Sequence, residues 1–185
     1  MALGMIILGR QGSGKGTQAV RIAETYGVVH ISTGDMLRAA VADDTELGRQ
    51  ADQVMKAGGL VSDEIMNGIV AERLEKPDVV NGGFLLDGYP RTPGQADALL
   101  SFVGDRLRLA LNLDVPVEVV TARMVARGRE DDTPESIARR LELYEAETSP
   151  LLAWAEDRGI LTVVDGMGSE DEVFDRIRCV IDPVA

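Results

Sequence analysis

Apolar residues fall along this chain in two rhythms. Short continuous runs read as strands buried on both faces: Met5-Ile6-Ile7-Leu8, Val28-Val29-His30-Ile31, Phe84-Leu85-Leu86-Asp87, Leu109-Ala110-Leu111-Asn112-Leu113 and Ile160-Leu161-Thr162-Val163-Val164. Between them, apolar positions recur every three or four residues. Ala19, Ile22, Ala23 and Tyr26 predict a helix ended by Gly27. Ser32-Thr33-Gly34-Asp35 opens a second, with Ser32 and Asp35 at capping-box spacing. Leu47, Ala51, Val54 and Met55 predict a third, ending at Gly58-Gly59, and Ser62 is placed to cap a fourth carrying Ile65, Ile69, Val70 and Leu74. Lys76 to Gly83 is expected to be a loop, enlarged at the surface by Gly82-Gly83. Ala98, Leu99 and Phe102 mark a helix after the third strand. Pro116 is expected at the first position of the next helix. Thr133-Pro134 starts another, with Ile137, Leu141 and Tyr144 as its stripe. Pro150 is expected to break it, and a new helix runs through Trp154 to Arg158-Gly159. Ser169 and Glu172 cap the last. Strands alternating with helices predict a five-stranded parallel sheet covered on both faces, its site beyond the carboxyl ends of the strands. The successive helices after residue 32 predict an insertion of the kind that can move as a lobe.

Composition narrows the class. The 185 residues suffice for one core with a small inserted lobe, and 45% hydrophobic content is that of an ordinary globular protein. No apolar run approaches about 18 residues, so no membrane span is expected. Met1-Ala2-Leu3-Gly4 runs straight into the first strand, leaving no room for a signal peptide. Cys179 is the single cysteine, which rules out an internal disulfide and a cysteine-based zinc cage. A packing role for it and a cytoplasmic location are the default expectations. His30, the only histidine, Trp154 and the scattered methionines are read as packing residues.

The net charge of −12 argues against broad binding to nucleic acid or acidic membranes. Yet Lys15, Arg38, Arg91, Arg123, Arg127, Arg129, Arg139 and Arg140, eight of the nineteen basic residues, cluster in a few stretches. That pattern suits a focused anion site on an acidic body. Gly9-Arg10-Gln11-Gly12-Ser13-Gly14-Lys15-Gly16-Thr17 supplies one, between the first strand and the first helix. Its glycines let backbone N–H groups wrap a phosphate at a helix N-terminus. Lys15 is placed to reach the β- and γ-phosphates and Thr17 to ligate magnesium, with Gly16 intervening where the usual pattern puts the hydroxyl next to the lysine. The plain alternative is a glycine-rich turn. Asp87, at the end of the third strand, either holds magnesium beside this loop or merely caps a turn. Arg123 and Arg127 share a helix face, and with Arg129, Arg139 and Arg140 they form either a phosphate clamp or a solvated, ion-paired surface.

Several motifs together resemble the adenylate kinases, of the bacterial short-lid kind, over essentially the whole chain. They are Gly12-Ser13-Gly14-Lys15-Gly16-Thr17-Gln18, Ser32-Thr33-Gly34-Asp35, Gly59-Leu60-Val61-Ser62-Asp63, Asp87-Gly88-Tyr89-Pro90-Arg91, Arg129 with Asp131-Asp132, and Arg140. The resemblance implies the P-loop nucleoside monophosphate kinase fold. It divides the chain into a core (1–31, 62–126 and 134–185), an AMP-binding lobe (32–61) and a lid (127–133). It implies reversible phosphoryl transfer from MgATP to AMP, giving two ADP. Gly12, Ser13, Gly14, Lys15, Gly16 and Thr17 would cradle the ATP phosphates. Arg123 would cover the adenine, Arg127 approach the phosphates, and Gly168 meet the adenine through its backbone. Thr33, Arg38, Gly59, Leu60, Val61, Gly88, Tyr89, Pro90, Arg91 and Gln95 would hold AMP. Arg129 and Arg140 would reach both AMP and the group in transit. Lys15, Arg91, Arg127, Arg129 and Arg140 form the implied catalytic set. Magnesium would sit on Thr17 and, through water, on Asp87. No zinc, no nucleic-acid or membrane partner, and a monomer are expected. Gln11, where the family commonly has Pro, and Arg10 are departures. A UMP/CMP kinase of the same fold and a nucleotide-binding switch are the alternatives. The paired acceptor motifs at Thr33–Arg38 and Gly88–Gln95 speak against the switch.

Overall fold

The computed structural model describes residues 3–185; Met1 and Ala2, part of the expected direct entry into the first strand, lie outside the described residues. Five parallel strands form one sheet: β1 (Gly4–Leu8), β2 (Val29–Ser32), β3 (Phe84–Asp87), β4 (Leu107–Asp114) and β5 (Leu161–Asp165), in the order β2-β3-β1-β4-β5. Every residue of β1 is buried, as a central strand requires. Side-chain alternation sends Ile6 and Leu8 to one face and Met5 and Ile7 to the other, so β1 seeds two apolar clusters. Progress along the sheet reverses beside β1, which puts the loop after β1 at the switch point. Register aligns Ile7 with Asp87 and Asp87 with Ser32, bringing three strand ends together.

Ten helices are described: α1 (Lys15–Tyr26), α2 (Thr33–Ala42), α3 (Glu46–Lys56), α4 (Asp63–Leu74), α5 (Pro77–Gly82), α6 (Pro93–Val103), α7 (Val117–Arg127), α8 (Pro134–Leu143), α9 (Pro150–Glu156) and α10 (Glu170–Ile181). None among the described residues is long and apolar enough to cross a membrane. A third small cluster, Val115, Val120, Met124 and Ile137, joins α7 to α8.

Local expectations fail where tertiary contacts outweigh local signals. Residues 77–82 are helical, not loop; Pro77 opens α5 and fully buried Val79 anchors it. Gly83 is no surface enlargement. It is buried at φ +81°, and a Cβ there would lie 2.4 Å from the Leu3 carbonyl oxygen. Ser62 precedes α4 without a side-chain cap bond. In α6 the buried positions are Gln95, Ala96, Leu99 and Val103, while Phe102 faces solvent. Pro116 is the N-cap of α7 and not its first residue. No sharp break precedes Pro150, because a π-helical stretch, Tyr144–Thr148, carries α8 onward to α9. Ser32 Oγ accepts the Asp35 N–H at 3.2 Å, but the Asp35 carboxylate turns to Arg38, so this box is half built; the Ser169–Glu172 box is complete. Cys179 is exposed, contrary to a packing role, and Met167 also lies at the surface. Trp154 packs partly buried against the larger cluster.

Candidate active site

The loop after β1 turns on left-handed glycines. At Gly12 (φ +84°) a Cβ would meet the Val120 carbonyl oxygen at 2.6 Å, so only glycine fits against α7. The Lys15 ammonium donates to the carbonyls of Gly9 (2.6 Å) and Arg10 (2.9 Å), spanning the loop that α1 follows. Burial lowers its pKa to about 8; Asp87 opposes the shift, and Arg91 and Arg127 add to it. Arg10 explains itself only in three dimensions. Its Nε and Nη2 donate to Glu145 Oε1 at 2.9 and 2.6 Å, and its guanidinium lies 5.3 Å from the Tyr144 ring centroid. The loop is thereby tied to the π-helical stretch.

Asp87 ends β3 with its carboxylate facing the start of α1: Oδ2 is 3.6 Å from where a Cβ on Gly16 would stand. The Thr17 hydroxyl belongs to the first turn of α1 and is exposed to the cleft. A carboxylate and a hydroxyl flanking one glycine are hard oxygen donors, the kind magnesium takes. His30 is half-buried, and instead of packing in the core it lines the same cleft, with Nε2 3.6 Å from Asp87 Oδ2.

This cleft, of about 690 Å³, is walled by Gly12, Ser13, Gly14, Lys15, Gly16 and Thr17 on one side, with Asp87, Pro90 and Gly168 also on its lining. Six arginines face it: Arg38, Arg91, Arg123, Arg127, Arg129 and Arg140. Arg139, grouped with them by sequence, stays on the exposed face of α8. Crowded cations need fixed carboxylates. Asp132 accepts from Arg127 Nε (2.9 Å), Arg127 Nη2 (2.8 Å), Arg140 Nη1 (2.8 Å) and the Arg129 N–H (3.3 Å), and Asp131 pairs with Arg140. Burial alone would raise the Asp132 pKa, but its bonds with Arg127 hold it below the usual carboxylate range. Burial lowers the pKa of Arg91, and burial plus repulsion from Arg127 and Arg38 lowers that of Arg129. Arg91 is steadied by Nε donation to the Gly88 carbonyl at 2.8 Å.

A smaller cavity opens beside the first. It is lined by Thr33, Gly59, Leu60, Val61 and Gln95, and shares Arg38, Gly88, Arg91, Arg129 and Arg140 with the arginine-lined region. Gln95 is 1% exposed; its Oε1 accepts the Arg91 N–H and its Nε2 donates to Asp63 Oδ1, each at 2.8 Å. Among the expected acceptor residues two do not line this cavity: Pro90 lines only the larger cleft, and Tyr89 lines neither. Its ring is buried in the core, and its hydroxyl donates to Asn67 Oδ1 at 2.7 Å instead of facing the cavity. Sequence reasoning gave no role to Asp63 or Arg176. Arg176 Nη1 donates to the carbonyls of Asp165 (2.5 Å) and Met167 (2.7 Å) and so shapes the turn that carries Gly168.

A family model described as adenylate kinase matches residues 7–160. An adenylate kinase of Xanthomonas campestris pv. campestris (strain 8004) is 50% identical over 180 residues, covering 94% of this chain and 96% of that protein. One of Stenotrophomonas maltophilia (strain K279a) is 48% identical over 184 residues, covering 96% and 98%. One of Xanthomonas oryzae pv. oryzae (strain MAFF 311018) is 50% identical over 181 residues, covering 94% and 96%.

Proposed function

The chain belongs to the adenylate kinase family, and on that footing we propose how its own residues carry the reaction, reversible phosphoryl transfer from ATP to AMP giving two ADP. The observation that carries the reading is one band of arginines shared between two adjoining cavities, one behind the glycine loop and one around Gln95. Two anionic ligands with a charged group passing between them need that arrangement.

The backbone of Gly12 to Thr17 and the start of α1 bind the ATP phosphates, with Lys15 reaching the β- and γ-groups. Arg123 and the backbone of Gly168 take the adenine side. Thr33, Gly59, Leu60, Val61 and Gln95 hold the AMP base, while Arg38, Arg91 and the Gly88–Arg91 turn take its phosphate. Tyr89 serves that turn from beneath. Thr17 and, through water, Asp87 would hold magnesium, which supplies charge neutralisation at the phosphates when bound.

The transferring group carries charge spread over its oxygens and asks little covalent help of the protein. Lys15, Arg91, Arg127, Arg129 and Arg140 supply positive charge, with Arg127 and Arg140 held in place by Asp131 and Asp132, Lys15 by the Gly9 and Arg10 carbonyls and Arg91 by that of Gly88. The AMP phosphate is already a competent nucleophile, so no side chain acts as general base. Water has to be excluded, or ATP would be hydrolysed; residues 32–61 as acceptor lobe and 127–133 as lid close over the core for this purpose. A monomer working in the cytoplasm without zinc completes the reading. The single thiol, Cys179, supports the zinc-free part, since it cannot build a cysteine cage, and leaves the cytoplasm as the default location.

The test is ATP turnover with AMP, UMP, CMP and GMP in turn, and with no acceptor. Turnover that depends on AMP and yields two ADP is expected. Turnover indifferent to the acceptor would point to a hydrolytic switch, and preference for UMP or CMP to the pyrimidine branch of the fold.

A further inference from the structure

Gln95 is a symmetric-looking group with an asymmetric task. A primary amide can present its oxygen or its nitrogen to a base simply by rotating half a turn. In this protein both ends are already engaged. Oε1 accepts the Arg91 N–H at 2.8 Å and Nε2 donates to Asp63 Oδ1 at 2.8 Å. The second Asp63 oxygen accepts from the Thr92 hydroxyl at 2.8 Å, and that hydroxyl in turn accepts the Gln95 N–H at 3.2 Å as the cap of α6. Asp63 is the first residue of α4, whose Met66 also lines the small cavity.

We propose that Asp63 is a specificity-determining positioning residue, which locks the Gln95 amide in one orientation and so makes the acceptor site select a 6-aminopurine over a 6-oxopurine. The inference rests on the reading that Gln95 meets the base of AMP. A carboxylate only accepts, so it tolerates Nε2 and repels Oε1; the charge makes this end of the clamp the stronger one. The amide then has one N–H and one oxygen lone pair left for the base, in fixed order. Adenine offers a donating amino group beside an accepting ring nitrogen, which matches that order. The 6-oxo analogue offers an accepting oxygen beside a donating N–H, which would need the amide reversed. Reversal places Oε1 against Asp63 and Nε2 against the Arg91 N–H, leaving buried groups unpaired.

The measurement is kcat/KM for AMP and for inosine monophosphate, with the KM for ATP followed alongside, in the wild type, Asp63→Asn, Asp63→Ala and Gln95→Ala. The wild type is expected to favour AMP by at least about tenfold. Asp63→Asn keeps the volume but can turn a donor toward Gln95, and Asp63→Ala removes the acceptor. Each should narrow the AMP preference by about fivefold or more, the alanine variant most, with the KM for ATP unchanged. A purely structural role would lower both acceptors alike and leave their ratio where it was. An unchanged ratio in both Asp63 variants, with Gln95→Ala narrowing it, overturns the proposal while the Gln95 reading stands. An unchanged ratio in Gln95→Ala overturns the Gln95 reading itself. Equal use of both acceptors by the wild type overturns the lock without any variant having to fold.

Discussion

Arg140 Nη1 and Arg127 Nη2 converge on a single oxygen of Asp132, each at 2.8 Å. The Asp132 side chain is fully covered, so one carboxylate holds together two guanidinium groups that would otherwise repel each other. The folded-state pKa of Asp132 lies below its usual value. Its contribution to stability is therefore fully present above the unfolded pKa of about 3.9 and is lost as pH falls through the lower folded value. Asp132→Asn is expected to cost about 2 kcal/mol at pH 7. Thermal melts from pH 7 down to pH 2 should show the gap between wild type and variant closing below about pH 4. A gap that stays constant throughout would mean that the charge is not what Asp132 contributes.

Lys15→Met should leave the fold intact while removing charge that matters most in the transition state. A loss in kcat of at least about a hundredfold is expected. Since burial already disfavours the Lys15 charge, lowering its pKa to about 8, the variant should melt no earlier than the wild type at pH 7. A folded variant with near-normal kcat contradicts the assigned role.

The locked Gln95 amide bears on uracil as well, while cytosine, with an amino group beside an accepting ring nitrogen, is left to the shape of the slot. A uracil edge reverses part of the donor and acceptor order and leaves a buried group unpaired, at a cost of about 1–3 kcal/mol. With Thr33 and Gly59 to Val61 shaping the slot, AMP should be preferred to UMP and CMP by at least about a hundredfold in kcat/KM. Gln95→Ala should narrow the gap to UMP chiefly by weakening AMP. Comparable wild-type efficiencies for AMP and UMP would overturn the acceptor assignment and leave the kinase activity untouched.

Exhaustive chelation should abolish activity, and magnesium alone should restore it. Among the described residues no three His, Cys, Asp or Glu side chains gather as a metal site, so magnesium is expected to draw most of its ligands from phosphate and water. Stoichiometric zinc in elemental analysis, or a requirement for zinc in recovery, would refute this.

Gly83→Ala should destabilise the protein by about 2–3 kcal/mol, lowering the melting temperature by several degrees. The added methyl carbon would sit 2.4 Å from the Leu3 carbonyl oxygen at φ +81°. Gly159→Ala is the control, at φ +66° with no heavy atom within 4 Å of the new carbon. It should lose only about 1 kcal/mol, the strain of the backbone angle alone. Equal losses in the two variants would show that the contact with Leu3 is not what restricts position 83.

What the sequence determined by itself is what local physics carries. Short continuous apolar runs bounded by turn signals suit a parallel strand, so all five strands were legible, as were the helices between them with a clear stripe or cap. Burial on both faces holds for the central strands, while β2 and β5, at the sheet edges, are only partly buried and Val163 faces solvent. The spacing of Gly12, Lys15 and Thr17 between strand and helix singled out the loop after β1, and the structure brings all three to one cleft. Residues 76–83 misled because Pro77, Asn81 and two glycines are local loop signals; burial of Val79 and the approach of Leu3 outweigh them. His30 was misplaced because a lone residue on a short strand carries no directional information, and Cys179 because residue type says nothing of helix face: it stands off the buried stripe of α10, Val173, Phe174, Ile177 and Ile181. Phe102 and Tyr89 exchanged their expected positions for a similar reason: one turned to solvent and the other inward, as neighbouring elements dictated. The arginines could be named but not sorted, since sequence does not separate a cleft-facing guanidinium from a solvated one. Packing of α7 against α8 decided it, bringing Asp132 under Arg127 and Arg140 and leaving Arg139 outside. Asp63 stood at the end of a quoted motif, but nothing local gave it a partner. Its partner Gln95 lies on a different helix, and only the folded chain brings the carboxylate to that amide.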